Sequence, residues 1–249
     1  MFGNHFYHAT TRKAVALFGT IFNNINVIRQ DGSGNVLNQI KVPLAYGPKQ
    51  KFLSRLDSVT GQDASMAIKL PRMGFEITSM DIDSTQKLAK RNQIVENHAT
   101  DSTKKKTIKQ AVAYNINMSL YAMAKNQDDG LQIMEQILPY FQPEYTVTIT
   151  PVTGFTYKQD VPIILNAVTI QDDYEGDYQT RRALIYQFDF VMKMKYFGPT
   201  SDQGVIREVD VNKYDGLTST SKASNTDIKP NPLSADADDA FGYTSTITE

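Results

Sequence analysis

The segment ALIYQFDFVMKMKYF, residues 183 to 197, alternates apolar and polar side chains over most of its length. Its apolar positions lie two residues apart, at Leu184, Tyr186, Phe188, Phe190, Met192 and Met194. Side chains two apart project from one face of a β-strand, whereas a helix would scatter them around its circumference. The opposite face carries polar side chains, at Gln187, Asp189, Lys193 and Lys195. The segment therefore predicts a strand in a sheet that has one buried face and one face open to water.

Several other segments also predict strands. IKQAVAYNINMSLYAMAK, residues 108 to 125, alternates in the same way, with Val112, Tyr114, Ile116, Met118, Leu120 and Ala122 on one face. NINVIRQ and VLNQIKVPLAY flank the turn sequence DGSGN, which favours a β-hairpin. Extended segments follow at residues 67–82, 144–150 and 161–170, and Pro71 favours an edge strand or a strand start.

Two main helices are predicted. The first has Thr10 or Thr11 as its N-cap and an apolar stripe at Val15, Leu17, Phe18, Ile21 and Phe22. The second begins near Asp129 and Gln132, and its predicted buried stripe is Leu131, Met134, Leu138 and Phe141, flanked by Ile133 and Ile137. PKQKFLSRL predicts a short basic helix or turn. These elements predict an α+β fold, with an antiparallel or mixed β-sheet packed by two main helices.

Residues 83 to 107 are polar and carry few apolar anchors, so they predict a long exposed loop. The loop and its exit hold a run of basic residues, at Lys87, Lys90, Arg91, Lys104, Lys105, Lys106 and Lys109. Such a run can contact nucleic-acid phosphates, but it lacks the aromatic side chains on which bases stack. A solvated loop, or a surface matched to an acidic protein partner, is the favoured interpretation.

The composition changes after Gly198. Residues 201 to 249 hold nine Asp or Glu against four Lys or Arg, a net charge of −5, and the other 200 residues carry +4. The tail is rich in Ser, Thr, Asn, Asp and Pro, so it can bury little apolar surface of its own. We therefore predict an α+β domain over residues 1–199 and an acidic, polar C-terminal arm over residues 200–249. The arm is expected to be extended or flexible and to order only against a neighbour.

A search for catalytic or metal-binding motifs nominates no site. The chain has no cysteine, and its histidines are His5, His8 and His98. No Gly-rich phosphate loop or nucleophile elbow is present, and the carboxylate clusters lack the ligand spacing of a calcium loop. We therefore predict no enzyme, no cofactor and no metal. The N-terminal segment lacks the order of a signal peptide, and no stretch approaches the ~20 apolar residues that span a bilayer.

ILPYFQPEYTVTI, residues 137 to 149, joins the second predicted helix to a strand. Pro139 has no N–H to donate and should end the helix, while Pro143 should start the strand. We expect Phe141, with Leu138, to close the core. Tyr140 and Tyr145 would then present their polar tips to water or to a neighbouring protein.

Six segments resemble a known family in wording, order and spacing. They are MFGNHFYH, LFGTIFNNINVIRQ, VPLAYGPKQKFLSRL, LPRMGFEI, MEQILPYFQPEYTVTI and RRALIYQFDF, which together span residues 1 to 197. The family is that of the tail sheath stabiliser and completion proteins, or tail terminators, of T4-like contractile-tailed bacteriophages. The most specific of the matching pieces is ILPYFQPEYTVTI.

The resemblance implies a structural virion protein. Such a protein would form a hexameric ring that terminates the tail tube, stabilises the extended contractile sheath and docks the tail to the neck and head. Its partners would be further copies of itself, tail tube and sheath proteins, and neck proteins. Genomic DNA would pass through the ring without sequence-specific binding, and no membrane is involved. The site would be the tail–neck junction of the virion, after assembly in the host cytoplasm.

Two other functions remain open at this point. One is a neck or head-completion adaptor ring between portal and tail, and the other is a nucleic-acid-binding module that uses the basic segment 87–109. The residues selected as candidate interface positions are Tyr140, Tyr145, Lys104, Lys105, Lys106, Arg181 and Arg182. The polar connection of residues 171–182 holds both arginines, which could also pair with its own acids.

Overall fold

The computed structural model describes residues 5–57, 70–86, 89–98, 101, 104–173, 183–216, 222–235 and 239–248. The elements in chain order are α1 (Thr10–Ile21), β1 (Asn26–Gln30), β2 (Val36–Lys41), β3 (Leu44–Tyr46), α2 (Lys49–Asp57), β4 (Arg72–Ile82), β5 (Gln93–Asn97), β6 (Lys104–Lys109), β7 (Val112–Ala124), α3 (Gln127–Ile137), β8 (Glu144–Ile149), β9 (Gln159–Asp173), β10 (Ala183–Tyr196), β11 (Thr200–Gly204), β12 (Val209–Tyr214), β13 (Lys222–Asn231) and β14 (Gly242–Thr248). Strands thus predominate among the described residues, which hold three α-helices. The helix α2 lies where PKQKFLSRL predicted a short basic helix or turn.

A six-stranded sheet forms the centre of the fold, in the order β3-β4-β7-β10-β9-β8. All its neighbouring strands are antiparallel except β3 and β4, which are parallel. The prediction of an antiparallel or mixed sheet is therefore confirmed. Pro71 immediately precedes β4, which agrees with the predicted strand start.

The strand β10 has the buried face that its alternation predicts. Tyr186, Phe188, Phe190, Met192 and Met194 are all at most 1% exposed. The opposite face of the sheet is only partly open to water, because Phe52 of α2 packs there against Tyr121, Met123 and Ile185. The prediction of a fully wet second face was wrong at this end of the sheet, since the basic sequence of α2 concealed one apolar anchor.

The helix α1 lies on the buried face of the sheet, with Phe18 at its centre. The Phe18 ring centroid is 5.2 Å from that of Phe75 and 5.3 Å from that of Phe190. The N-cap is Ala9, in a left-handed conformation with φ 55°, and it makes no side-chain cap hydrogen bond. The predicted cap at Thr10 or Thr11 was therefore wrong, because Thr10 is already helical and is buried.

The helix α3 packs on β7 and β10 and against β1. Its buried residues are Asp129, Gly130, Ile133 and Ile137. The predicted buried stripe, which began Leu131, Met134 and Leu138, was therefore wrong, because each of these residues lies one position after a residue that is buried. Asp129 can be buried because Arg29 pairs with it, with Nη2 2.6 Å from Oδ2. The side chain of Asp129 is 2% exposed.

Two glutamines of α3 fix the predicted hairpin β1–β2, which the structure confirms. The Gln132 side chain accepts from the Ile28 backbone N–H at 2.9 Å and donates to the Ile28 carbonyl at 2.9 Å. Gln136 makes the equivalent pair with Asn26 one turn later. These amides occupy the outer edge of β1 in place of another strand, which leaves β2 as the free edge of the hairpin.

A small three-stranded sheet, β11-β6-β5, lies where a long loop was predicted. The prediction for residues 83–107 was wrong because β6 obtains its second neighbour from β11, about 94 residues further along the chain. Ile108 and Thr107 are buried in this sheet, together with Phe155 and Phe197. Glu96 of β5 fixes the adjacent loop, since its carboxylate accepts from the Thr156 N–H at 2.7 Å and the Tyr157 N–H at 3.0 Å.

The acidic tail contains regular structure. The strands β12, β13 and β14 form a separate antiparallel sheet, and β11 pairs with β6. The predicted extended or flexible arm is thus not confirmed. Among the described residues after 200, Ala235 is the one apolar side chain that is buried, in agreement with the expectation that the tail buries little. The domain boundary near residue 200 stays a prediction.

Candidate functional site

A groove of about 610 Å³ lies between the C-terminal end of α1, the end of α3 and β8. Its walls include Leu17, Ile21, Glu135, Pro139, Tyr140 and Tyr145. The segment ILPYFQPEY, singled out from the sequence, forms one side of it. The groove therefore places two of the predicted interface residues, Tyr140 and Tyr145, on a common surface.

The two prolines of this segment create the corner. The helix α3 ends at Ile137, and a 3-10 turn, Leu138–Tyr140, follows with Pro139 within it. Phe141 is extended, with φ −107° and ψ 91°, and β8 begins directly after Pro143. The predicted end of the helix and start of the strand are both confirmed, as expected for residues that lack a backbone N–H.

Phe141 anchors the corner to the core. Its ring centroid is 5.0 Å from that of Phe190 and 6.1 Å from that of Phe22. Leu138, which was expected to close the core with it, is instead 37% exposed. Tyr140 is 68% exposed beside this fixed ring, so the corner presents an aromatic side chain from a rigid support. Aromatic residues on such supports are characteristic of protein–protein contacts.

The lining of the groove is mainly apolar. Its polar members include Thr20, Asn24, Glu135 and Gln136, at the rim of a mainly apolar surface. A general base beside a nucleophile would be needed for catalysis, and the residues that line this groove offer no such pair. An apolar floor with a polar rim fits the surface of another protein.

The predicted lysines lie on β6 in the small sheet and line no part of the groove. Lys104 is ion-paired, with Nζ 2.8 Å from Asp101 Oδ2, and this hydrogen bond raises the pKa of Lys104. Lys105 and Lys106 are half-buried, and Asp202 of β11 lies directly opposite Lys106. Because acids and neighbouring strands surround these lysines, they do not form a bare cationic surface. Arg181 and Arg182 lie outside the described residues.

Sequence reasoning missed the contribution of α1 to the groove. Leu17 and Ile21 are four residues apart and half-buried, at the edge of the helix stripe that Phe18 centres. Their spacing was visible, but their partial exposure depends on where α3 ends. The apolar stripe of α1 is wider than the face that packs on the central sheet, and this width is the signal that could have identified Leu17 and Ile21.

Polar side chains on the second face of the central sheet form a structural network. The Tyr121 hydroxyl donates to Glu76 Oε1 at 2.8 Å, and the Ser119 hydroxyl donates to Asp189 Oδ1 at 2.6 Å. Burial, together with the Glu76 carboxylate, raises the pKa of Tyr121 to about 12. The phenol therefore stays protonated at neutral pH and acts as a hydrogen-bond donor between strands.

One acidic cluster in the tail has the spacing of a cation site. Carboxylate oxygens of Glu208, Asp210 and Asp227 lie within 4.8 Å of one another. Lys229 Nζ is 2.8 Å from both Glu208 and Asp227, and these contacts raise the pKa of Lys229. The ammonium group balances one of the three carboxylate charges and bridges Glu208 and Asp227, so these contacts form a salt-bridge network. Within the described ranges, no helix is long and apolar enough to cross a membrane.

Comparison with known proteins decides which of the possible functions fits. The family model described as T4-like virus Myoviridae tail sheath stabiliser matches residues 5–249. The chain belongs to this family. The resemblance seen in six segments is thereby confirmed, and the match continues through the acidic tail that those segments did not cover.

A curated relative gives the same picture. The tail completion protein of Enterobacteria phage T4 is 29% identical over 215 residues, which is 83% of this chain and 77% of that relative. The chain is thus a structural phage tail protein, as predicted, and a virion component. The groove at the α3–β8 corner is the candidate surface for that role.

Proposed function

We propose that this protein forms a hexameric ring that terminates the tail tube, holds the contractile sheath extended and docks the tail to the neck. The observation that carries the proposal is the match to the tail sheath stabiliser family over residues 5–249. A closed ring is the simplest assembly by which several copies of one chain can cap the end of a tube.

The surface of the fold supports head-to-tail assembly. The strand β8 is an edge of the central sheet, and β2 is the free edge of the hairpin, where Val36 and Leu37 are 62% and 68% exposed. The groove lies on a different part of the surface from the lysine-bearing sheet. Distinct patches of this kind suit a heterologous contact, in which each copy uses one patch to bind a different patch on the next.

The proposed partners follow from this position. They are further copies of the chain, tail tube and sheath proteins on one side, and neck proteins on the other. Genomic DNA would pass through the ring without sequence-specific binding. The ring would lie at the tail–neck junction of the virion, after assembly in the host cytoplasm.

The test is an add-back experiment with tails assembled without this protein. Purified full-length chain is added, and electron microscopy measures the fraction of tails whose sheath stays extended. We expect the wild-type chain to preserve extended sheaths. Tyr140→Asp, which places a charge in the groove, should lower that fraction at least tenfold. The control is Tyr7→Ser, because Tyr7 is 70% exposed and lies outside the groove.

Two outcomes would contradict the proposal. If the wild-type chain leaves sheath length unchanged and binds no tail end, the protein does not stabilise the sheath. If it binds filled heads and ignores tail ends, it is a head-completion adaptor. Equal loss in the Tyr140 and Tyr7 variants would remove the groove from the account while leaving the proposed ring intact.

A further inference from the structure

The tail sheet β12–β13–β14 is amphipathic. Val209 pairs with Ile228, Val211 with Thr226, and Ile247 with Thr226 from the other side, so these side chains share one face. Tyr243 pairs with Pro230 and extends that apolar face. The other face holds the salt-bridge network of Asp210, Asp227 and Lys229 with its neighbours. An alternation of this kind is typical of a sheet that buries one face.

Among the residues that the structure describes, several side chains of the apolar face are exposed to solvent. Val209 and Val211 are each 44% exposed, Ile247 is 67% exposed and Tyr243 is 76% exposed. The extensive contacts of β12, β13 and β14 are with one another, and no described helix or strand of the remaining fold packs on them to a similar extent. A cavity of about 210 Å³ opens on the same face, between Ile206, Phe241 and Tyr243.

Such a sheet gains stability when its face is covered. A three-stranded sheet depends on its hydrophobic face for stability in water, and burial of that face removes apolar surface from water. Contiguous exposed apolar surface of this kind marks an interaction site. The exposed fractions of Val209, Val211, Ile247 and Tyr243 leave room for a partner on this face.

Charge favours a second copy of the chain as that partner. The tail carries a net charge of −5 and the other 200 residues carry +4. Two tails would repel one another, whereas a tail and the body of another copy attract. The family match includes the tail, so the tail is a shared part of the family's sequence.

We propose that the apolar face of β12–β14 docks on the basic body, residues 1–199, of an adjacent copy. This inference rests on the proposed ring and names the contact that links its subunits. The tail sheet of each copy contacts the body of the next copy, so the two surfaces in contact differ and the contact is heterologous. Repeated around the ring, such contacts join the last copy to the first. Its apolar face supplies binding energy, and the charges direct the tail away from other tails.

Cross-linking between isotope-labelled copies tests this contact directly. The chain has no cysteine, so Tyr243→Cys creates a unique thiol on the apolar face. A mixture of heavy and light copies is assembled on tail ends and treated with a short thiol-to-amine cross-linker. We expect heavy–light links from position 243 to residues 1–199 at least tenfold more often than from Thr244→Cys, whose side chain lies on the opposite face.

A second variant measures the consequence for assembly. Tyr243→Asp should reduce ring occupancy on tail ends at least tenfold while the circular dichroism spectrum stays unchanged, and Thr244→Asp should not. Links confined to one isotope, or links to sheath, tube or neck proteins in place of residues 1–199, would overturn the inference. Normal ring occupancy of Tyr243→Asp would also overturn it.

These failures differ from failure of the proposed function. If the wild-type chain binds tail ends but Tyr243→Cys gives no heavy–light links, only the tail contact is wrong. If wild-type chain binds no tail end and forms no oligomer, both the ring and the contact are wrong.

Discussion

Gly130 of α3 packs directly against the ring of Tyr186 in the central sheet. A Cβ added there would lie 2.8 Å from Tyr186 Cζ and closer still to Cε2. Tyr186 is 1% exposed and belongs to β10, between β7 and β9, so its ring has no free space to enter. Gly130→Ala should therefore push α3 away from the sheet.

Two effects of opposite sign determine the stability of this variant. Alanine in place of glycine inside a helix stabilises by about 1 kcal/mol. Overpacking against a fixed side chain costs about 1–3 kcal/mol, and a separation this short belongs at the upper end of that range. The clash outweighs the helix propensity, so we expect a net loss of about 2 kcal/mol. For a chain of this size, that loss lowers Tm by about 4–8 °C.

A double-mutant cycle with Tyr186→Leu tests the cause. Thermal unfolding of the wild type, both single variants and the double variant gives the coupling between the two positions. We expect Gly130→Ala to be much less destabilising when residue 186 is leucine, because the ring that clashes is absent. A Gly130→Ala chain that is more stable than wild type would refute the reasoning, since helix propensity would then dominate.

Three other predictions follow from the ion pairs and the buried phenol. Arg29→Met leaves the buried Asp129 carboxylate without its guanidinium. Because the Arg29 side chain is 40% exposed and solvent screens the pair, we expect a loss of about 1–2 kcal/mol in urea unfolding. Equal stability would show that this ion pair contributes nothing. The fold raises the pKa of Tyr121 to about 12 from an ordinary value of about 10. The protonated phenol therefore contributes fully to the free energy of unfolding below pH 10, and this contribution is lost as the pH rises towards 12. Tm of wild type should therefore fall more steeply over that range than Tm of Tyr121→Phe, and parallel curves would contradict this. Because lysines 104 to 106 are paired or half-buried, we expect no measurable binding of a short DNA duplex at low salt. A steep decrease of affinity with salt would contradict this and support a nucleic-acid module.

Strands with long alternation could be predicted from the sequence alone. The period of two in β10 and β7 specifies which side chains are buried, because a shift of one residue would expose the entire apolar set. The hairpin β1–β2 was equally clear, since its turn holds Asp31 and two glycines. These elements are determined by local pattern, which a single sequence contains.

The buried face of α3 could not be predicted in the same way. Leu131, Met134 and Leu138 have helical spacing and are apolar, yet Asp129 and Gly130 face the sheet. Arg29 makes the burial of Asp129 possible, and the space required by Tyr186 explains the glycine. Both causes lie on other elements, so the helix sequence alone favours the wrong stripe.

The candidate site was partly predictable for the same reason. Pro139 and Pro143 specify the corner locally, and the structure brings Tyr140 and Tyr145 to one groove. The lysines were read as part of an exposed loop because β11, the strand that pairs with β6, comes from the tail. Contacts over such sequence separations depend on the whole fold.

Electron cryomicroscopy of tails completed with this protein tests the central claim most directly. The account predicts a ring of six copies at the end of the tube, in contact with the last ring of an extended sheath. Density for this chain on filled heads in place of tail ends, or tail ends that lack a closed ring of it, would contradict the account.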